Sequence, residues 1–319
     1  MSATGSALGA RLRERDLSAA PEALNVLESS APAELDQAAA LLREVSPAAL
    51  GGEAPAHLIG LTGPPGAGKS TLLSALLRAW RARGESVAML AVDPSSRRSG
   101  GSLLGDRARI DFDPADRGVL IRSMAAGERL GGLARATRAA AQALAAAFDV
   151  VVIETVGVGQ AETEVADVVD TVVVVVQPGS GDVLQFLKSG IMETPDVLVV
   201  TKSDLGSPAL RSRRDLSAAL RSLGESATRV LSVSALPPPS GIDELVEAIS
   251  EHRHGIDLAA HRLRVRRAGA LSDFVIEHGE RGLRALGGRA GAEALLARQE
   301  PGLEAPALLE RLTAAMAGS

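Results

Sequence analysis

The sequence predicts an α/β protein in which a mostly parallel β-sheet is flanked by helices, with helical arms at both ends of the chain. Between His57 and Leu236, short apolar segments alternate with longer segments of helical periodicity. The apolar segments are continuous, which indicates strands covered on both faces, as in a parallel sheet between layers of helices. Residues 1–55 and 255–319 show only the three- and four-residue apolar spacing of helices.

The N-terminal arm, residues 1–55, is predicted to contain several helices. Pro32, Pro47 and the pair Gly51–Gly52 interrupt its helical pattern. The C-terminal arm, residues 255–319, begins with the arginine-rich stretch HRLRVRRAGALSDFVIEHGERGLRAL, and glycines at 287, 288 and 302 break its helices. We interpret these arginines as a solvated helix face, with a partner or dimer contact as the alternative.

The central domain, residues 56–254, contains the predicted strands. In chain order they are HLIGLTG, SVAMLAVD, GVLIRSM, DVVVIETVG, TVVVVVQPG, DVLVVTKSD and RVLSVSAL. Helices are predicted between them, for example over Ser70–Arg83, Leu133–Phe148 and Ile242–Arg253. Because ligands of such sheets bind at the carboxyl ends of the strands, the polar residues that follow each strand are the candidate site residues.

Composition excludes several classes of protein. The chain has 34 Lys and Arg residues against 39 Asp and Glu, a net charge of −5, which argues against nucleic-acid binding. Cysteine is absent, which excludes disulfides, thiolate metal ligands and a cysteine nucleophile. No secretion signal is evident, and apolar runs such as Val172–Val176 are far shorter than the roughly 20 residues of a membrane-spanning helix. We therefore expect a soluble, cytoplasmic protein with no membrane partner.

A phosphate-binding motif follows the first predicted strand. Gly63, Pro64, Pro65, Gly66, Ala67, Gly68, Lys69 and Ser70 match G-x-x-x-x-G-K-[ST], and Thr71 comes next. The glycines allow backbone N–H groups to turn toward phosphate oxygens, and the start of the following helix adds partial positive charge. We expect Lys69 to contact the β- and γ-phosphates and Ser70 to bind Mg²⁺. The motif predicts a P-loop NTPase.

Three carboxylates are predicted to hold the magnesium ion. Asp93 ends the strand VAMLAVD, Asp106 ends the glycine- and serine-rich loop that follows, and Glu154 ends the strand VVVIE. Close carboxylates repel one another unless a divalent cation neutralises them. Since Mg²⁺ usually takes one or two protein carboxylates, some of the three would act through water. Helix or turn capping is the alternative for Asp93 and Asp106.

The segment TVGVGQ after Glu154 is predicted to respond to the γ-phosphate. Gly157 is placed so that its N–H could reach that phosphate. Loss of the γ-phosphate would then release the loop that runs to Gln160. Gln160 is a candidate for orienting the attacking water.

Residues after the strand DVLVV indicate recognition of guanine. Asp204 offers two acceptors to the N1–H and N2–H₂ donors of guanine, whereas adenine presents an acceptor at N1. After the next strand, a backbone N–H at Ser234 or Ala235 could meet guanine O6. The motif usually begins with Asn, and Thr201 before Lys202 lacks the amide donors, so we expect weaker nucleotide binding with guanine preference retained. An ordinary strand-end turn is the alternative.

Together these motifs resemble the MeaB/ArgK-type GTPases, chaperones associated with methylmalonyl-CoA mutase. The chain carries GPPGAGKST, AVDPSSRRSGGSLLGDRARI, ETVGVGQAE, PGSGDVLQFLKSGIMETPD and TKSD in that family's order. The resemblance implies GTP or GDP as ligand, Mg²⁺, slow GTP hydrolysis and a homodimer formed through the helical arms. It also implies gating of adenosylcobalamin loading or protection in a cobalamin-dependent acyl-CoA mutase, with an adenosyltransferase as a further candidate partner.

The resemblance also assigns roles to single residues. It implies that phosphate and magnesium are bound by Lys69, Ser70, Asp93, Asp106 and Glu154, and that the base is bound by Lys202 and Asp204. It also implies that the loop Pro178–Gln185 signals to the mutase. The family usually has Glu, Gly and Asn where this chain has Val183, Phe186 and Thr201. Because two of these departures lie in the signalling loop, the identity of the mutase stays open.

Two other P-loop functions remain as alternatives. A metal-delivery GTPase would need a cluster of Cys and His ligands, and the close pair here is His252 and His254, which we interpret as solvated histidines at a helix end. A metabolite kinase would need an acceptor pocket and a catalytic base, for which the sequence shows no signature. Equal binding of GTP and ATP would favour both alternatives.

Overall fold

The structure is a computed structural model, which describes residues 4–29, 31–93, 110–125, 135–155, 165–179, 195–225 and 227–318. Its strands are β1 His57–Thr62, β2 Val87–Asp93, β3 Val119–Ala125, β4 Val150–Thr155, β5 Thr171–Val176, β6 Val197–Val200 and β7 Arg229–Ser232. Its helices are α1 Gly5–Arg13, α2 Ala20–Glu28, α3 Pro32–Glu44, α4 Pro47–Leu50, α5 Lys69–Ala82, α6 Arg135–Ala145, α7 Ser207–Ser222, α8 Ile242–Gly255, α9 Leu258–Ala285, α10 Gly288–Ala297 and α11 Ala305–Ala317. Short 3-10 helices cover Leu17–Ala19 and Ser203–Leu205.

The strands of the described residues form one parallel sheet in the order β3-β2-β4-β1-β5-β6-β7. This arrangement confirms the predicted α/β fold. Strand β1 lies in the middle, with β4 on one side and β5 on the other. The chain leaves β1 toward β2 and later returns past it to β5, so the carboxyl end of β1 is a topological switch point. Ligands of open α/β sheets bind at such points.

Apolar side chains cover both faces of the sheet. On one face, α5 and α8 pack against alternate residues of the central strands, with Leu72, Leu76 and the only tryptophan, Trp80, buried in this cluster. On the other face, α7 packs Leu216 and Leu220 against β5 and β6. Burial on both sides is the physical reason why the strands are continuously apolar in the sequence.

The chain divides into two compact units. The sheet unit comprises His57–Thr137 and Phe148–Ile256. The helical unit comprises Met1–Ala56, Arg138–Ala147 and Asp257–Ser319, so the helices predicted at both ends of the chain are present and belong to one unit. Among the helices that are described, none combines the length and the apolar character needed to cross a membrane.

In the helical unit, α1 packs closely on α3 through two glycines. A Cβ atom at Gly5 would lie 1.9 Å from the carbonyl oxygen of Gln37, and one at Gly9 would lie 2.6 Å from that of Leu41. Any larger residue would push the helices apart, so these glycines set the distance between them. A separate core joins α9, α10 and α11 around the fully buried Phe274.

The interpretation of the α9 arginines as a solvated face is wrong for two of them. Arg262 is only 6% exposed and donates to the carbonyl oxygens of Ala54 and Ala56, both at 2.6 Å. Arg266 forms a two-pronged ion pair with Glu53 at 2.8 and 2.9 Å. A planar guanidinium can satisfy several acceptors at once while its aliphatic stem is buried, so these arginines fasten α9 to the residues before β1.

The interpretation of His252 as a solvated histidine is also wrong, whereas His254 is exposed as expected. His252 Nδ1 lies 2.9 Å from Thr171 Oγ1, and its Nε2 lies 3.1 Å from Asp196 Oδ1. The same hydroxyl lies 2.8 Å from Nε2 of His57, which is buried. This network joins the end of α8 to the amino-terminal edge of the sheet, opposite the edge that carries the predicted site.

Candidate nucleotide site

The predicted phosphate loop, residues 63–68, connects the buried end of β1 to the first turn of α5. Gly63, Gly66 and Gly68 all have positive φ, at 144°, 78° and 90°. A Cβ atom at Gly63 would lie 2.0 Å from the carbonyl oxygen of Val175, so only glycine lets the loop pass β5 so closely. Gly68 precedes α5, and no side chain of the described residues caps this helix. The first N–H groups of α5 therefore suit an anionic ligand.

Lys69 lies at the start of α5 and is 8% exposed. Its Nζ donates to the carbonyl oxygens of Gly63 at 2.6 Å and Pro64 at 3.3 Å. The side chain thus turns back across the phosphate loop and places a buried positive charge inside it. A positive charge held inside a loop of inward-turned backbone suits an anionic ligand such as a phosphate. Ser70 and Thr71 complete the first turn, and Pro65 is on the exposed side of the loop.

Thr201 and Lys202, predicted to bind the base, contact the phosphate loop. Thr201 is 5% exposed, and its Oγ1 lies 2.6 Å from the carbonyl oxygen of Ala67 and 3.0 Å from that of Val176. Lys202 Nζ donates to the carbonyl oxygen of Gly66 at 3.2 Å. These hydrogen bonds join residues that are 134 and 136 positions apart in the chain, so the two predicted segments lie side by side.

Asp204 lies in the 3-10 helix that follows, and a serine orients its carboxylate. The hydroxyl of Ser234, a buried residue, donates to Asp204 Oδ1 at 2.8 Å. The backbone N–H of Ser234 donates to the carbonyl oxygen of Ser240 at 3.0 Å. Ala235 comes next and is partly buried. The structure therefore brings the predicted carboxylate acceptor and the Ser234–Ala235 backbone together.

Two of the predicted metal ligands have described side chains. Ser70 lies partly buried in the first turn of α5, and Glu154 lies in β4 opposite Leu61 of β1 and Ala91 of β2. Both are thus near the carboxyl ends of neighbouring strands. In the described ranges there is no group of three or more His, Cys, Asp or Glu residues that could hold a metal ion.

The other predicted residues of this part of the site lie partly or wholly outside the described residues. Asp93 is the last residue of β2, but its side chain is outside the described part of the structure. Asp106, Gly157, Gln160, Val183 and Phe186 lie outside the described residues altogether.

Sequence analysis missed three residues that support the site. Thr155 Oγ1 donates to Thr62 Oγ1 at 2.9 Å, and this buried contact joins the carboxyl ends of β1 and β4 directly below the phosphate loop. Gln177, the residue after β5, accepts a hydrogen bond from Lys202 Nζ at 2.5 Å. Strands β5 and β6 end in register, so the residues that follow them lie side by side. That register, inferred from the strand ends, is the signal that could have found Gln177.

Comparison with known proteins agrees with this geometry. Residues 4–279 match the family described as methylmalonyl-CoA mutase-associated GTPase MeaB. A putative GTPase of Pyrococcus abyssi (strain GE5 / Orsay) is 40% identical over 272 residues, which cover 83% of this chain and 81% of that protein. GTPase ArgK of Escherichia coli (strain K12) is 36% identical over 263 residues, covering 80% and 78%. The crystal structure of an LAO/AO transport system kinase has a TM-score of 0.66 at 28% identity, covering 96% of this chain and 95% of its own.

The family match extends over the N-terminal helices α1 to α4, the sheet unit and most of α9. It confirms the resemblance drawn from the phosphate-loop, carboxylate and base motifs. The chain belongs to the family of methylmalonyl-CoA mutase-associated GTPases MeaB, and it is a P-loop GTPase, a hydrolase that acts on GTP.

Proposed function

We propose that this GTPase is a chaperone that gates adenosylcobalamin loading or protection in a cobalamin-dependent acyl-CoA mutase. The family description, which names a methylmalonyl-CoA mutase-associated GTPase, supports a mutase as the partner. We further propose that it acts as a cytoplasmic homodimer, with an adenosyltransferase as a second candidate partner. The main support for nucleotide binding is the contact of Thr201 and Lys202 with the phosphate loop.

In the proposed site, the phosphate loop and Lys69 bind the triphosphate. Hydrolysis forms a bond between water and the γ-phosphorus and breaks the bond to the β–γ bridging oxygen, giving GDP and phosphate. Lys69 and the N–H groups of the first turn of α5 stabilise the negative charge that develops there. Gly157 is the proposed sensor of the γ-phosphate, and Gln160 is proposed to orient the water.

Two described residues near the phosphate loop offer oxygen ligands of the kind that Mg²⁺ takes. Ser70 offers a hydroxyl, and Glu154 offers a carboxylate at the end of the neighbouring strand. We propose that these two residues, with Asp93 and Asp106, hold Mg²⁺ directly or through water. A bound Mg²⁺ would supply positive charge that offsets the negative charge of the phosphates.

The base is proposed to bind at the Thr201–Asp204 segment. Asp204 would accept hydrogen bonds from N1–H and N2–H₂ of guanine, with its orientation set by the Ser234 hydroxyl. Because the Ser234 N–H already donates to Ser240, the N–H of Ala235 is the donor we assign to guanine O6. Adenine would present a lone pair to the carboxylate, so ATP should bind more weakly.

Nucleotide affinities of two variants test the site. Lys69→Ala is expected to abolish GTP binding, because it removes the charge inside the phosphate loop. Asp204→Asn is expected to lower the ratio of GTP to ATP affinity by roughly 10- to 100-fold, the effect of losing a charged hydrogen-bond acceptor. Asp215→Asn, which changes an exposed carboxylate on α7, is the matched control. Wild-type GTP affinity in Lys69→Ala, or an unchanged ratio in Asp204→Asn, would contradict these assignments.

A second experiment tests the chaperone role. The tagged protein is used to capture partners from native cell extract, with and without a non-hydrolysable GTP analogue. A cobalamin-dependent mutase is expected among the captured proteins in amounts that change with the analogue, whereas Lys69→Ala should show no such change. Absence of any such mutase under both conditions would contradict the proposed partner. Light scattering of the purified protein tests the homodimer.

A further inference from the structure

Lys202 is held in an unusual conformation beside the phosphate loop. Its backbone lies in the left-handed region, with φ 55° and ψ 41°, which is unfavourable for a residue that has a Cβ atom. Its ammonium group lies between two acceptors, the carbonyl oxygen of Gly66 at 3.2 Å and Gln177 Oε1 at 2.5 Å. The strained backbone and the two-sided contact together direct the side chain across the loop.

The contact of Lys202 with Gln177 is shorter than its contact with Gly66, and the donor determines which atom of the Gln177 amide takes part. A lysine ammonium can only donate, so the amide atom that faces it is the oxygen. Hydrogen bonds from a charged donor are shorter and stronger than neutral ones. Because an exposed lysine has many accessible rotamers, this second contact restricts a side chain that the Gly66 carbonyl alone would hold weakly.

Gln177 also belongs to a segment with a separate tether. It follows β5, and Gly179 two residues later donates its backbone N–H to Ser212 Oγ of α7 at 3.3 Å. The Ser212 hydrogen bond holds the same segment without contacting Lys202. The two bonds can therefore be removed one at a time.

We propose that Gln177 is a positioning residue for guanine-nucleotide binding: its side-chain oxygen holds the Lys202 ammonium beside the phosphate loop and so orders the Thr201–Asp204 segment for the base. This inference rests on the proposed nucleotide site and names a residue that sets how long the nucleotide stays bound. Without the Gln177 contact, Lys202 explores more rotamers and the nucleotide dissociates faster. Since GDP and GTP share the base, both should be affected by the same factor.

Stopped-flow dissociation of fluorescent GDP and GTP analogues from the full chain tests the proposal. Gln177→Ala is expected to raise both dissociation rate constants about three- to tenfold, as for an exposed hydrogen bond to a charged group. Gln177→Glu keeps an oxygen acceptor for Lys202 and should restore both rate constants to within about twofold of wild type. Ser212→Ala is the matched control and should also stay within about twofold, because it loosens the same segment but leaves the Lys202 contact.

A double-mutant cycle decides whether the effect passes through Lys202. In the Lys202→Ala background, Gln177→Ala should change the rate constants by less than about 1.5-fold, because the contact is already lost. The same acceleration in both backgrounds would overturn the proposal, as would unchanged rates in Gln177→Ala or equal acceleration by Ser212→Ala. A wild-type protein that binds neither analogue would instead refute the nucleotide site itself, a result that is distinct from all of these.

Discussion

Replacing Thr201 by valine tests how the base segment is fastened to the phosphate loop. The two side chains have nearly the same shape, so the change removes a hydroxyl and keeps the methyl group. The hydroxyl lies 2.6 Å from the carbonyl oxygen of Ala67 and 3.0 Å from that of Val176. The Val176 carbonyl also accepts the backbone N–H of Thr201 at 2.8 Å, which the variant retains. Among the bonds of the described residues, only the Ala67 carbonyl therefore loses its donor.

The expected magnitude follows from that count. A buried carbonyl that loses its donor costs about 1–3 kcal/mol, and burial of the more apolar valine offsets part of this cost. The free energy of unfolding should therefore fall by about 1–2 kcal/mol. Urea unfolding can be followed by fluorescence of Trp80, which is the only tryptophan and is buried in the sheet unit.

Ser217→Ala is the control for this measurement. The Ser217 hydroxyl donates to the Arg213 carbonyl at 2.8 Å on the exposed part of α7, so its loss should change the free energy of unfolding by less than about 0.5 kcal/mol. A Thr201→Val variant that unfolds within about 0.3 kcal/mol of wild type would refute the reasoning. It would mean that the Ala67 carbonyl has no need of the threonine hydroxyl.

Three further predictions concern glycine, arginine and glutamate residues. Gly63→Ala should lower GTP affinity by more than about tenfold in a nucleotide titration, because its Cβ would collide with a β5 carbonyl. Gly84 has a φ of 80° and open space around it, so Gly84→Ala should show only the cost of a left-handed residue, roughly 1–2 kcal/mol in urea unfolding. Arg262→Met should lower the free energy of unfolding by about 2–4 kcal/mol, because two carbonyls lose a charged donor, whereas the exposed Arg264→Met should change it by less than about 0.5 kcal/mol. Glu304→Gln should stabilise the protein at neutral pH and have little effect in acid, as measured by unfolding over a pH series.

The sign of the Glu304 prediction follows from its burial. Burial raises the pKa of the Glu304 carboxyl above its ordinary value, so the folded state binds more protons than the unfolded state between the two pKa values. The free energy of unfolding of the wild type should therefore fall, relative to Glu304→Gln, as pH rises through that window, and the difference should be constant above it. A difference that shrinks with rising pH would contradict this assignment.

Outcomes for the other two predictions are equally distinct. A Gly63→Ala protein with wild-type GTP affinity would mean that the phosphate loop can move away from β5. Equal effects of Arg262→Met and Arg264→Met would mean that the carbonyls of the residues before β1 are satisfied without the buried guanidinium.

Local patterns in the sequence were sufficient to predict the sheet and the phosphate loop. Strands β1 and β6 are buried along their whole length, and their largely apolar sequences show this burial in each segment by itself. The phosphate loop is equally local, because its glycines, Lys69 and the start of α5 are consecutive residues. The family followed from these motifs and their order.

Contacts between distant segments were decided by the tertiary structure. Arg262 has the pattern of a solvated arginine, yet its acceptors are carbonyls 206 and 208 positions earlier in the chain. His252 likewise has a partner on β5, and Lys202 meets Gln177 because two parallel strands end in register. Hydrophobic periodicity reports only whether a side chain is apolar, so it cannot tell a polar side chain that faces water from one that faces a buried acceptor. That distinction requires the folded chain, in which the acceptor and the donor are brought together.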